Sequence, residues 1–375
     1  MTPVLPGATI GMLGGGQLGR YAVIAARTMG YRTAVLDPDA HAPAKAVADV
    51  RYDAEFGDES ALAALAAVAD VVTIEFENPP AAALDFLARR TRVAPSPAAV
   101  AVAQDRIREK EFLVESGFPV VPYAVVRDAD ADPEISYPAI LKTARMGYDG
   151  KGQRAVADGS AMRAAWRLLG SVPCVLEQAL TLGTEVSVVA ARTPGGEVAA
   201  FPVAENTHVD GILDLTVVPA AVPRRVADRA VGLAMAIADA LDYVGVLAVE
   251  MFVVDGELVV NELAPRPHNS GHWTLDAART SQFALQMRAV CGVGLGDTTM
   301  TSPAAAMVNL LGDLWTAHDP DWQQVLELRE AALHLYGKSP PRPGRKMGHI
   351  TTWARSPLEA VTLALRARAL LSNPA

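Results

Sequence analysis

An apolar run, "ATIGML", passes directly into Gly14-Gly15-Gly16-Gln17-Leu18-Gly19 and then into a helix-forming segment that reaches Met29. Gly14, Gly16 and Gly19 satisfy G-x-G-x-x-G, where glycine allows a tight strand-to-helix turn and close approach of a phosphate. Few folds accept that demand; a parallel βαβ unit with helices on the sheet faces does. Asp37 closes the next apolar run, "TAVLD", where a dinucleotide enzyme keeps its ribose-binding acid. A nicotinamide- or flavin-dependent oxidoreductase is therefore one expectation, and the remaining chain has to support or displace it.

Strand-like and helix-like segments keep alternating to about residue 100. A helix around "DESALAALAAVA" leads to the strand "DVVTIEF", a helix beginning at Pro79-Pro80 and the short strand "TRVAPS". This is one α/β domain, taken as residues 1–104. With 375 residues the chain is too long for a single ordinary core. The net charge of −9 argues against general nucleic-acid binding. No apolar run is long enough to span a membrane and no basic-then-apolar leader opens the chain, so a cytoplasmic protein is expected. Cys174 and Cys291 are far apart with no metal-like spacing and read as buried thiols.

From Asp105 the texture changes. "DRIREKEFLVESG" predicts an amphipathic helix stopped at Gly117. In "KTARMGYDGKGQ", Lys142 ends a strand and a loop follows with Gly147, Gly150 and Gly152 around Lys151. Glycine lets backbone N–H groups reach phosphate oxygens while lysine adds a point charge. The G-K-[ST] ending of a P-loop is absent, and a solvated hairpin tip is the plain alternative. Glu177 to Leu180 resemble an inter-lobe strand whose backbone suits an adenine, with Glu185 available to a ribose; on the residues alone a plain core strand with an exposed Glu is the stronger alternative.

"VEMFVVDGELVVNEL" is a hairpin with Asp255-Gly256 at its turn and two acids, Glu250 and Glu262. A two-residue turn pairs Glu250 with Asn261 and sends Glu262 to the opposite face. A three-residue loop pairs Glu250 with Val260 and leaves both acids diagonal on one face, close enough to share Mg²⁺. Just beyond, His268 and His272 have i,i+4 spacing, but Pro265, Pro267 and Gly271 argue against a helical zinc face. His208 lies on a polar loop. Lys338, Arg342, Arg345 and Lys346 concentrate positive charge in "YGKSPPRPGRKMGH", as a phosphate clamp or a solvated loop.

Together "DRIREKEF", "LKTARMGYDGKGQ", "LEQAL…TEVSV", "VEMFVVDGELVVNELAPRPHNSGHWT", "SQFALQMRAV" and "HLYGK…GRKMGHI" resemble the ATP-grasp superfamily. Within it, with "GGGQLGR" and "FENPP", they are most similar to the 5-(carboxyamino)imidazole ribonucleotide synthetase family over nearly the whole chain. The resemblance implies an α/β, three-domain ATP-grasp architecture with an N-terminal Rossmann-like (pre-ATP-grasp) domain that binds no dinucleotide. It sets the ATP-grasp module at 105–297, with a lid subdomain near 122–180, and a C-terminal domain at 298–375 completing the substrate site.

Carried over residue by residue, the resemblance assigns ATP to Arg106, Lys142, Gly147, Tyr148, Asp149, Gly150, Lys151, Gly152 and Gln153. Glu177, Gln178, Ala179, Leu180, Glu185, His208, Asn261 and Glu262 complete that set. Mg²⁺ goes to Glu250 and Glu262. Aminoimidazole ribonucleotide falls to Glu77, Tyr148, Asp149, Arg266, His268, Asn269, Lys338 and Arg345, with Gln17 as a further contact. Lys142 and Arg106 would neutralise charge, and Asp149, then His268, would accept the amine proton. The implied reaction consumes ATP and bicarbonate, in a homodimer. Many superfamily members keep Asn two residues after the second metal Glu, where this chain has Ala264; Asn261 is the substitute, although a regular strand points it the other way. The rival assignments are another ATP-grasp ligase, such as formate-dependent glycinamide ribonucleotide transformylase, and a non-catalytic nucleotide sensor.

Overall fold

The structure is a computed structural model that describes residues 2–128, 131, 133–147, 150–180, 183–316 and 319–371. Strands β1 (Thr9–Leu13), β2 (Arg32–Asp37), β3 (Val50–Asp53), β4 (Val71–Ile74) and β5 (Arg92–Val93) form a parallel sheet ordered β3-β2-β1-β4-β5. Its central strands are buried on both faces, as expected where helices cover a parallel sheet. Gln17–Thr28 packs on one face through Leu18, Tyr21, Ala22 and Ala26, and Glu59–Val68 on the other through Leu62 and Leu65.

The glycine turn serves a protein carboxylate. Glu75, one residue beyond β4, lies so close that a Cβ on Gly14, Gly16 or Gly19 would run into it. Its Oε1 accepts from Leu18 N–H at 3.3 Å, while Asp37 Oδ2 accepts from Gly15 N–H at 2.7 Å. Glu75 thus fills space a dinucleotide pyrophosphate would need, and Asp37 is turned inward onto the loop. The Rossmann pattern is real as geometry; its oxidoreductase implication is displaced by the chain's own acids.

Strands β6 (Tyr123–Val126), β7 (Ala139–Thr143), β8 (Gln153–Val156) and β9 (Cys174–Gln178) make a small antiparallel sheet ordered β6-β9-β7-β8. The large sheet begins with β10 (Thr184–Arg192), β11 (Val198–Ala200), β12 (Ala204–Val209), β13 (Ile212–Val218), β14 (Gly245–Val254) and β15 (Glu257–Ala264). It is completed by β16 (Ala304–Leu311), β17 (Ala331–Leu335) and β18 (Lys346–Ala354). The order is β15-β14-β10-β12-β13-β16-β18-β17, with β11 on β10. Chain beyond Thr298 therefore extends the same sheet as the carboxylate hairpin, and that continuity brings the basic loop between β17 and β18 to the site. The helix Arg224–Ala240 buries Val226, Ala230, Ala234 and Ile237 against β10 and β14; Pro357–Leu370 covers β16 and β18. Both cysteines are buried free thiols.

Candidate active site

The hairpin meets neither register in full. Asp255 and Gly256 both have positive φ, 50° and 80°, which makes a two-residue turn with Val254 opposite Glu257. Pairing runs regularly to Met251 opposite Val260 and then shifts, so that Glu250 faces Glu262. Asn261 is the extra residue of a β-bulge. The two-residue turn alone would have put the acids on opposite faces; the bulge reverses that, and cross-strand partners share a face. Bulging also frees Asn261 from strand alternation, and its Oδ1 accepts from Lys142 Nζ at 3.3 Å.

The helix Arg106–Glu115 lies beneath this hairpin. Its face at i, i+3 and i+4 carries Arg106, Glu109 and Lys110. Arg106 donates to Glu262 Oε2 at 2.6 Å. Glu109 Oε2 accepts from Leu263 N–H at 3.0 Å. Lys110, wholly buried, donates to the carbonyl of Asn261 at 2.8 Å and to that of Val260 at 3.4 Å. It also pairs with Glu177 Oε1 at 3.1 Å. The other Glu177 oxygen binds Lys142 Nζ at 2.5 Å.

The expected nucleotide contact of Glu177 is through its backbone, and its side chain is engaged elsewhere. Its carboxylate is buried and shared between two lysines, leaving only its backbone for a nucleotide. Gln178 and Ala179 donate their N–H groups to Pro122 and Pro138, which anchors the inter-lobe strand; with Leu180 they are half-buried. Burial raises the proton affinity of Glu177, but Lys142 and Lys110 outweigh it and hold the carboxyl down at about 2.

Glu250 and Glu262 part company in the same way. Burial, then the facing Glu262, pushes Glu250 up to about 7. Burial acts upward on Glu262 too, but Arg106 and Lys142 prevail and keep it at about 2. Two hard oxygen donors crowded on one face fit Mg²⁺, whose charge would relieve the repulsion that raises Glu250. His268 Nε2 stands 3.4 Å from Glu250 Oε1. Burial, with Arg266 and Lys346, lowers His268 to about 3, so the ring is neutral. His208 bonds Glu185 through Nδ1 at 2.5 Å, and that bond outweighs burial and raises its affinity for a proton.

A cavity of about 820 Å³ opens beside these groups. Gln17, Glu77, Arg266, His268, Asn269, Lys338 and Arg345 all line it, together with Arg106, Gly147, Lys151 and Glu262. Every described residue expected at the ribonucleotide is thus gathered from four separate stretches of the chain. Lys338 donates to Gln17 Oε1 at 2.5 Å, and Arg266 is bonded to Glu77. Asn269 exchanges amide hydrogen bonds with Asn309, at 2.7 and 3.1 Å. Arg345 donates to the carbonyls of Ser339 and Pro340 at 3.0 and 2.9 Å, closing its own loop. Arg342 and Lys346 also line the cavity.

Lys142, Glu177, Glu185, His208, Glu250 and Asn261 lie off this cavity, on the strands behind it. Tyr148 and Asp149 fall outside the described residues. The flanking Gly150 has φ +75°, and a Cβ there would approach the Asp210 carbonyl, so the glycine loop rests on the β12–β13 turn. Gly152 and the exposed Gln153 lead into β8, opposite Lys142.

The zinc reading of His268 and His272 is excluded by their directions. His272 is buried between Gln17 and Gln282, at 3.3 and 3.1 Å, while His268 faces Glu250. Among the described residues, Asp276, His334 and His349 bring donor atoms within 4.8 Å of one another. The two imidazoles stack 12° from parallel at 4.5 Å, so their lone pairs run side by side instead of converging on an ion.

Sequence reasoning missed Glu75, Glu109 and Lys110. The last two were legible as charges at core-facing spacing beside Ile107 and Leu113. Nothing local marks Glu75.

A glycine loop after a strand lysine, with Gly147 and Lys151 lining the same cavity as Glu262 of a carboxylate hairpin, is the arrangement of the ATP-grasp class. Residues 111–283 match the ATP-grasp domain model and 7–104 the ribonucleotide synthetase preATP-grasp domain. Residues 305–362 match the phosphoribosylaminoimidazole carboxylase C-terminal domain. An N5-carboxyaminoimidazole ribonucleotide synthase of Bacillus subtilis is 44% identical over 355 residues, covering 93% of this chain and 92% of that protein. One from Brucella melitensis is 46% identical over 360 residues, with 93% and 97% covered. The crystal structure of an N5-carboxyaminoimidazole ribonucleotide synthetase with ADP superposes with TM-score 0.92 at 42% identity, covering 98% of each chain. The Aspergillus clavatus N5-carboxyaminoimidazole synthase, in complex with ADP and 5-aminoimidazole ribonucleotide, gives TM-score 0.88 at 30% identity, over 97% of this chain and 98% of that one. The chain belongs to the N5-carboxyaminoimidazole ribonucleotide synthase family, whose members are ATP-grasp ligases.

Proposed function

We propose that the protein joins bicarbonate to 5-aminoimidazole ribonucleotide at the expense of ATP, giving 5-(carboxyamino)imidazole ribonucleotide, ADP and phosphate in purine biosynthesis. The observation that carries this reading is the shared cavity. Gln17, the Arg266–Asn269 segment and the Lys338–Arg345 loop enclose a basic chamber that opens onto Arg106 and Glu262. A ribonucleotide phosphate suits the basic loop, and its amine would then face the nucleotide end of the chamber.

Attack of a bicarbonate oxygen on the γ-phosphorus forms a P–O bond and expels ADP, leaving carboxyphosphate. Lys142, oriented by Glu177, and Arg106, oriented by Glu262, stand ready to offset charge on the transferring group. Glu250 and Glu262 would hold Mg²⁺, which when bound neutralises phosphate charge. The glycine loop, seated on the β12–β13 turn, excludes water from the labile acyl phosphate. The exocyclic amine then attacks carbon, forming C–N as phosphate leaves with the C–O electron pair. Asp149 is the proposed proton acceptor; a neutral His268 with so low a proton affinity is better suited to positioning. A homodimer, a cytoplasmic location and the division at residues 104 and 297 belong to the same proposal. Among the described residues no helix is long and apolar enough to cross a membrane.

ADP release from Mg-ATP and bicarbonate, with and without the ribonucleotide, tests the assignment. Strong stimulation by the ribonucleotide is expected. Turnover indifferent to it would point to a different acceptor, and nucleotide binding without turnover to a sensor.

A further inference from the structure

The carboxylate pair depends on one extra residue in β15, and a bulge leaves backbone groups outside the regular ladder. Here those groups are met from the helix below. Lys110 binds the Val260 and Asn261 carbonyls on one side of the shift, and Glu109 takes the Leu263 N–H on the other. The prongs bracket Asn261 and Glu262, and both come from consecutive residues of a helix whose Arg106 holds Glu262 itself. The same outward edge of β15 is held once more where Val260 donates to the Pro119 carbonyl at 2.8 Å.

We infer that Glu109 and Lys110 form a register lock: positioning residues that hold the β15 bulge and so keep Glu262 opposite Glu250. Without the lock, the two-residue turn at Asp255-Gly256 favours the unbulged ladder. In that register Asn261 replaces Glu262 opposite Glu250 and Glu262 turns to the other face. The third Lys110 contact, to Glu177, ties the lock to Lys142, so one buried ammonium sets both the phosphate-facing lysine and the carboxylate pair. An ordinary buried salt bridge would need only Glu177; the two carbonyls at the bulge are what the lock explains.

This inference rests on the proposed metal role of Glu250 and Glu262, and the experiment separates the two. Mn²⁺ binding is followed by loss of the free-ion EPR signal, with metal-free ADP affinity measured in parallel on the full chain. Glu250→Gln should weaken Mn²⁺ strongly; if it does not, the metal reading fails. Given that loss, Lys110→Met and Glu109→Met should each weaken Mn²⁺ by roughly 10-fold or more, the range for lost outer-shell support. ADP affinity without metal should move far less in Glu109→Met. Glu109→Gln keeps an oxygen for the Leu263 N–H and should restore nearly native Mn²⁺ binding. Wild-type Mn²⁺ affinity in either methionine variant overturns the lock. Should Lys110→Met not fold, Glu109→Met alone decides between the outcomes, since it removes the acceptor of the Leu263 N–H and leaves the buried contacts of Lys110 in place.

Discussion

Glu177→Gln removes the anion that two buried lysines share while keeping the side chain's size. Lys110 is fully covered and the Lys142 side chain is 9% exposed, so neither ammonium can recover the loss from water. Lys110 keeps its two carbonyls, whereas Lys142 is left with Asn261 Oδ1. Breaking a buried ion pair by removing one partner costs about 3–5 kcal/mol, and the retained amide oxygen sets the expectation near the lower end. For a module of this size, about 3 kcal/mol lowers the melting temperature by roughly 6–12 °C. Calorimetry and urea unfolding would measure it. Adding Lys142→Met to Glu177→Gln should recover part of the loss, with a coupling of roughly 1–3 kcal/mol between the sites. A Glu177 that merely touched nucleotide would change the KM for ATP and leave stability unmoved. Stability within about 0.5 kcal/mol of wild type would therefore refute the shared counter-ion.

Gly256→Ala, at φ +80°, should reduce stability by about 1 kcal/mol and leave Mn²⁺ affinity unchanged, because the turn sets the ladder up to Met251 and the bulge sets the acids. His272 and His349 should each subtract stability as pH drops below about 6.5, against the opposite contribution of Glu109 and Glu250, whose folded carboxyls hold protons more tightly. Burial holds His272 and His349 neutral; His268, His334, Lys346 and Lys338 oppose a charge on His272 further, and His272 and His334 oppose one on His349. At these two rings the unfolded chain then binds more protons than the folded one, a loss of roughly 1.4 kcal/mol per pH unit for each histidine until its folded pKa is reached. Urea unfolding of wild type and His349→Gln at pH 7.5 and 5.5 would show it: the change in stability between the two pH values should differ by roughly 1.4 kcal/mol, the variant lacking the loss that His349 causes.

The N-terminal βαβ pattern was readable because glycine, apolar alternation and helix starts are local properties with short periods. So was the resemblance to ATP-grasp proteins, since Lys142, the glycine loop and Glu250/Glu262 lie in compact stretches that carry it. What the glycines accommodate was not readable: Glu75 reaches the turn only because β4 pairs beside β1. Nor was the hairpin register. A bulge adds one residue without altering the apolar alternation that precedes it, and the groups that stabilise it sit on a helix about 150 positions earlier. Glu177 likewise carries no local sign that its carboxylate turns inward to two lysines. Read alone, the chain of residues tells which chemical groups this protein owns and in which short segments they lie. Which of those groups face one another is settled by the folded arrangement, because facing depends on register and burial, and both are set by strands and helices far apart in the chain.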